Sequence, residues 1–140
     1  MRGKTLLIAT GVVSACSVAP GPTPVALRTV DGQHQLDLML AGRVPLRPVS
    51  CLPSASASGN DMRIIDENTL SFRYGTEVYI AHTTGCRGLT PNGPYTLVSH
   101  QSASTGLCRG DPAQVVESGA GFPVSSCMIT DITPFVSARR

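Results

Sequence analysis

The sequence predicts a mainly β fold: a small antiparallel sheet or partly closed barrel with one short N-terminal helix, stapled by two disulfides. Three observations carry this. Short apolar runs with alternating faces are separated by Gly, Pro and Asn turns, a single stretch has helical periodicity, and four Cys are spread through the part of the chain that can fold. At 140 residues, with 41% apolar and 14% charged side chains, the chain suffices for one small domain and is too weakly charged for a disordered tail.

In chain order, Arg2 and Lys4 precede an apolar run over residues 5–15, the charged start and hydrophobic middle of a secretion signal. The run is too short to span a bilayer as a helix, which needs about 20 residues. It ends in Val13-Ser14-Ala15-Cys16, which resembles the bacterial lipobox, where an aliphatic residue and two small residues precede the Cys that receives lipid. That resemblance implies cleavage before Cys16 and lipidation of Cys16. The competing reading, cleavage after Ala19, would leave Pro20 first, which disfavours the peptidase. By the same likeness to lipoproteins, Ser17 after the Cys implies the outer membrane, facing the periplasm.

Residues 1–15 are thus expected to be a signal peptide, 16–26 a tether and 27–140 a single domain. The tether contains Pro20, Pro22 and Pro24, which keep it extended and semi-rigid. From Asp31 to Gly42 a short amphipathic helix is expected, with Asp31 as N-cap, Leu36, Met39 and Leu40 on one face, and Gly42 at its end. Pro45 and Pro48 forbid its continuation. A loop rich in Ser and Ala follows Cys51. Strands are then expected over Met62–Asp66, Thr69–Tyr74 and Glu77–Ala81, joined by turns at Glu67-Asn68 and Gly75-Thr76. Ile64, Leu70, Phe72, Val78 and Ile80 are the core candidates, although Ile64 and Ile65 cannot share a face. Further strands are expected at Tyr95–His100, at Gln114–Glu117, and from Cys127 to Thr130, the last stopping before Pro134.

Cys51, Cys86, Cys108 and Cys127 form an even set, as expected of two disulfides in a small exported domain. No Cys-x-x-Cys or Cys-x-His pair supports a metal knuckle. Of three possible connectivities, Cys51 with Cys127 and Cys86 with Cys108 is favoured, because it ties the first and last sheet segments and clips an inner loop. Those closures would contribute roughly 4.5 and 3.4 kcal/mol in the loop-entropy picture.

Several segments together resemble a group of small exported proteobacterial proteins that share a domain of unknown function. They are Leu40-Ala41-Gly42-Arg43-Val44-Pro45, Pro48-Val49-Ser50-Cys51, Arg63-Ile64-Ile65-Asp66, Gly85-Cys86-Arg87-Gly88-Leu89, Leu107-Cys108-Arg109-Gly110-Asp111, Gly121-Phe122, and Cys127 through Asp131 to Pro134-Phe135. The resemblance covers Leu36 to Phe135 and implies a periplasm-facing Gram-negative protein. It brings no catalytic residue. Ile132, in place of an aromatic, and Pro112, in place of a strand-forming aliphatic, depart from the group.

Once residues 1–15 are removed, nine Arg balance nine acids and no Lys remains. A neutral chain lacks the cationic surplus for nucleic acid, and without Lys there is no phosphate loop, Schiff base or Ser-Lys dyad. Arg109-Gly110-Asp111 reads as a structural turn in which Asp111 bonds nearby amides, rather than as an adhesion tripeptide. Ser99-His100-Gln101-Ser102 sets hydroxyls beside an imidazole, with Asp111 or Asp131 as distant orienters, but lacks a nucleophile elbow. His34, His82 and His100 are widely spaced and lack paired acids. Asp66-Glu67 reads as a solvated hairpin tip, and Gly119-Ala120-Gly121 as a turn. No cofactor or metal is expected. The expected function is a lipid-anchored binding or structural accessory module, attached to the membrane through Cys16 and engaging an envelope protein. One alternative is an inhibitor of a periplasmic hydrolase that presents the loop from Cys86 to Cys108; the other is a small hydrolase using His100.

Overall fold

A computed structural model describes residues 28–53, 61–99 and 106–138. The one helix among the described residues, α1 (Val30–Leu40), starts two residues earlier than Asp31 would place it, because Thr29 is the N-cap and its Oγ1 accepts from the Gly32 amide at 3.1 Å. Asp31 instead sits in the first turn, where its charge suits the helix dipole. Ala41 caps the other end, and Gly42 follows with φ +68°, the left-handed conformation that lets the chain turn into β1 (Arg43–Pro45).

Six more strands follow: β2 (Met62–Asp66), β3 (Thr69–Tyr74), β4 (Glu77–Thr83), β5 (Tyr95–Ser99), β6 (Pro112–Glu117) and β7 (Pro123–Ser137). They form one curled antiparallel sheet, a half-barrel in the order β2-β3-β4-β7-β6-β5, with β1 also paired to β7. The meander β2-β3-β4 has the expected bounds and turns, except that β4 runs on to Thr83. β6 begins at Pro112, since the first position of a strand tolerates a missing amide.

The last strand is much longer than Cys127–Thr130 and passes through Pro134. The Pro134 carbonyl accepts from Leu46 N at 2.8 Å, so the missing amide falls on that same side. No ladder bond to β4 is lost. β7 therefore pairs with β6 through its first half and with β4 and β1 through its second, joining both halves of the sheet.

Alternation along β4 separates two cores. Val78 and Ile80 face α1 and pack with Leu36, Met39, Leu40 and Phe135, while Tyr79 and Ala81 face the inside of the curl with Leu70, Phe72, Leu89, Val115, Ile129 and Ile132. Ile129 and Ile132 reach the same core although three apart, because the register shifts between His82 and Thr83 and leaves Thr130 as an extra residue. Ile65 is another such residue, between Ile64 and Asp66. It is fully buried, whereas Ile64 only flanks the inner core.

The disulfides are Cys51–Cys108 and Cys86–Cys127, which corrects the favoured pairing of Cys51 with Cys127 and Cys86 with Cys108. Sheet order is the reason. Cys51 and Cys108 lie opposite each other in an isolated antiparallel bridge, flanked by Leu52 N to Leu107 O (2.8 Å) and Arg109 N to Ser50 O (2.7 Å). Cys86 lies just past β4, and β4 adjoins the strand that carries Cys127.

Candidate functional site

Among the described residues, the pairing path β2-β3-β4-β7-β6-β5 ends in two edge strands, β2 and β5. Helix α1 packs against part of β2, and a Cβ on Gly32 would sit only 2.9 Å from the Ile65 carbonyl oxygen. The remaining edge, Met62, Arg63 and Ile64, faces Thr96 of β5 across a hollow of about 500 Å³. Its flanks are Gln35 of α1 and the pair Pro91 and Asn92.

That pair is the tip of a tight turn. Gly93 N donates to Thr90 O at 3.1 Å, Pro91 fixes the second position, and Asn92 takes φ +57°, as a type II turn requires. From this turn a second hollow of about 440 Å³ runs along the first turns of α1 past Asp31 and His34. A third, of about 230 Å³, lies against Asp66 to Asn68.

Hydrogen bonds link the residues of the wall beside Asp66. Arg28 Nε donates to Asp66 Oδ2 at 3.1 Å and its NH2 group to Thr69 Oγ1 at 2.9 Å, while Asp66 Oδ1 accepts from Asn68 N at 2.8 Å. Asp66 is buried, contrary to the solvated hairpin tip expected for Asp66-Glu67. Glu67 remains exposed, and its Oε1 accepts from Gly88 N at 2.7 Å, tying the β2–β3 turn to the loop after Cys86. Arg63 differs from Arg28. It is exposed, and among the described residues its guanidinium has no ion pair or hydrogen bond.

Cys16 and His100 lie outside the described residues. Asp111 is buried, with Oδ2 accepting from Cys108 N at 2.7 Å, so Arg109-Gly110-Asp111 is a structural turn with its carboxylate inside. Ser118 to Ala120 also form a turn, closed by Gly121 N to Glu117 O at 2.8 Å. His82 does have an acid as neighbour, since the register sets it opposite Asp131. Asp131 Oδ2 accepts from Thr133 Oγ1 at 3.0 Å, and no bond joins it to the imidazole. Among the described residues no group of three or more His, Cys, Asp or Glu is placed to hold a metal. No helix among them is long and apolar enough to cross a membrane.

The fold also alters the titration of Tyr79. Burial, then the 2.5 Å hydrogen bond to Glu77 and that carboxylate's charge, push its pKa up to about 12. It belongs to the inner core, not to the hollow. On the outer face of β5-β6-β7, Val98, Gln114 and Ser126 form one cross-strand row, with exposed Val124 and Met128 nearby.

Comparison with known protein families, with curated proteins and with solved structures gives no match.

Sequence reasoning missed Arg63, Gln35 and the Pro91-Asn92 tip as wall residues. Thr90-Pro91-Asn92-Gly93 carries a readable turn signature. Nothing local marks β2 and β5 as the two edges.

Proposed function

We propose that this chain is a lipid-anchored protein of the cell envelope, held through Cys16 at the outer membrane and facing the periplasm, whose stapled half-barrel is a binding or accessory module. The observation that carries the binding role is the hollow between the β2 and β5 edges, flanked by a turn; the anchor and its location rest on the sequence pattern around Cys16. Concave sites are the usual places for recognition, and this one sets the polar side chains Gln35, Arg63, Asn92 and Thr96 beside Met62, Ile64 and Pro91. The disulfides and the Arg28–Asp66 pair hold the surroundings still, which lowers the ordering cost of binding.

The inhibitor reading draws less support. Cys86 is not paired with Cys108, and the exposed Arg87 sits in a closed turn, with Leu89 N bonded to Cys86 O at 3.0 Å and the Arg87 carbonyl accepting from Ser125 Oγ at 2.8 Å. The hydrolase reading depends on His100 and gains nothing from the described residues.

A photoreactive residue at Thr96 in the anchored, full-length chain tests the binding role. A discrete adduct is expected from Thr96 and not from Gly119, which lies in the β6–β7 turn outside the hollow. No adduct at Thr96, or equal yields at both positions, refutes the role. Labelling with a clickable fatty acid, lost in Cys16→Ser, tests the anchor.

A further inference from the structure

We infer that the hollow takes an extended segment of a partner protein as an added strand, with an acidic side chain of that segment held by Arg63. The inference rests on the binding reading above and names what is bound. Strand edges recognise extended peptides through backbone hydrogen bonds, and alternate side chains set the specificity. Here the β2 edge from Met62 to Ile64 faces β5 at Thr96 across the gap, so an added strand would extend the sheet towards closure.

Charge selects the occupant. Among the described residues Arg63 is the only charged side chain lining this hollow, and it has no ion pair. Asp61, its nearest acid in sequence, does not pair with it. Residues 1–27, 54–60, 100–105 and 139–140 contain no Asp or Glu. The group complementary to Arg63 is an acid carried by the partner.

Position selects its form. Arg63 sits between Met62 and Ile64, which flank the inner core, while Arg63 lies on the opposite face of the strand, paired with Ser71. A residue opposite Arg63 on an added strand shares its face, and the residues on either side lie opposite Met62 and Ile64. The fitting pattern is apolar, acidic, apolar. Because the edge continues on both sides of Arg63, the acid is internal to the segment and not a chain terminus.

The test uses the detergent-solubilised full chain and labelled, capped peptides with the core Thr-Val-Glu-Val-Thr, read by fluorescence anisotropy. The Glu peptide is expected to bind about tenfold or more tightly than its Gln twin, the size of one charge-assisted hydrogen bond. Arg63→Glu should abolish that preference and favour a twin with Lys at the centre, an outcome that a merely structural role for Arg63 would not produce. Equal binding of the Glu and Gln peptides, no binding of either, or tighter binding of a twin ending in a free carboxylate overturns the inference. If selectivity fails while the Thr96 adduct persists, the acidic strand falls and the binding module stands; loss of the adduct as well removes both.

Discussion

Removing each disulfide in turn separates what sheet pairing contributes from what the staples contribute. Cys51–Cys108 spans a sequence separation of 57 residues and Cys86–Cys127 one of 41. Loop entropy then assigns them about 4.2 and about 3.9 kcal/mol, nearly equal contributions. Burial splits them. Cys86 is fully buried and belongs with Cys127 to the inner core, so Cys86→Ala/Cys127→Ala also loses sulfur packing, about 1–2 kcal/mol more. Cys51 is only half-buried, and its neighbours Ser50 and Leu52 keep their backbone bonds to Arg109 and Leu107 when the sulfurs go. Expected losses are therefore about 5–6 kcal/mol for Cys86→Ala/Cys127→Ala and about 4 kcal/mol for Cys51→Ala/Cys108→Ala. Against the usual total of about 5–15 kcal/mol, the first leaves the domain at the edge of folding. The second should lower Tm by about 15–30 °C. Urea unfolding followed by far-UV circular dichroism measures both, and the m-value should rise in each variant, because an unfolded chain freed of a cross-link exposes more surface. Losses under about 1 kcal/mol, a reversed order, or an unchanged m-value would refute the reasoning.

Gly32→Ala should destabilise by about 1–2 kcal/mol in the same assay despite the better helix propensity of Ala, because the new Cβ meets the Ile65 carbonyl and Thr29 Oγ1 at 2.9 Å. Gly119→Ala, with nothing within 4 Å and no left-handed φ, should stabilise by about 0.4–1 kcal/mol. Arg28→Ala should cost about 1–3 kcal/mol by leaving the buried Asp66 carboxylate with only the Asn68 amide, and the loss should persist in added salt, since the pair is largely shielded from water. In an alkaline titration followed by tyrosinate absorbance, Tyr79 should ionise at about 12, and Glu77→Gln should bring that midpoint down. Its unfolded value is the ordinary 10.0, so the unfolded chain loses this proton first. Stability from Tyr79 is thus full below about pH 10 and is lost as pH climbs towards 12.

Local signals made much of this fold legible. The meander from Met62 to Ala81 could be read because alternation and short turns act between neighbours in sequence. Asp111 as a turn carboxylate followed from its setting between Cys108 and Pro112. What failed was non-local. The disulfide pairing followed from sheet order, which places Cys86 beside β7 and not beside Cys108. The length of β7 was hidden by Pro134, whose missing amide costs nothing to β4 only because of the side on which it falls. Asp66 looked solvated because its partner, Arg28, lies 38 residues earlier in the chain.

The hollow depends on features that break alternation, which is why a period-two reading could not locate it. Three register shifts leave Ile65, Val124 and Thr130 as extra residues in their strands, two of them in β7. Each such bulge bends its strand and raises the local twist. Two bends in the one strand shared by both halves curl the sheet, so that β2 and β5, furthest apart in the pairing order, come to face each other at Arg63 and Thr96. A flat sheet with the same pairing order would leave these edges on opposite sides of the molecule. The residues that shape the candidate site are therefore not its lining but the bulged positions Val124 and Thr130. Neither carries chemistry that would single it out in the sequence.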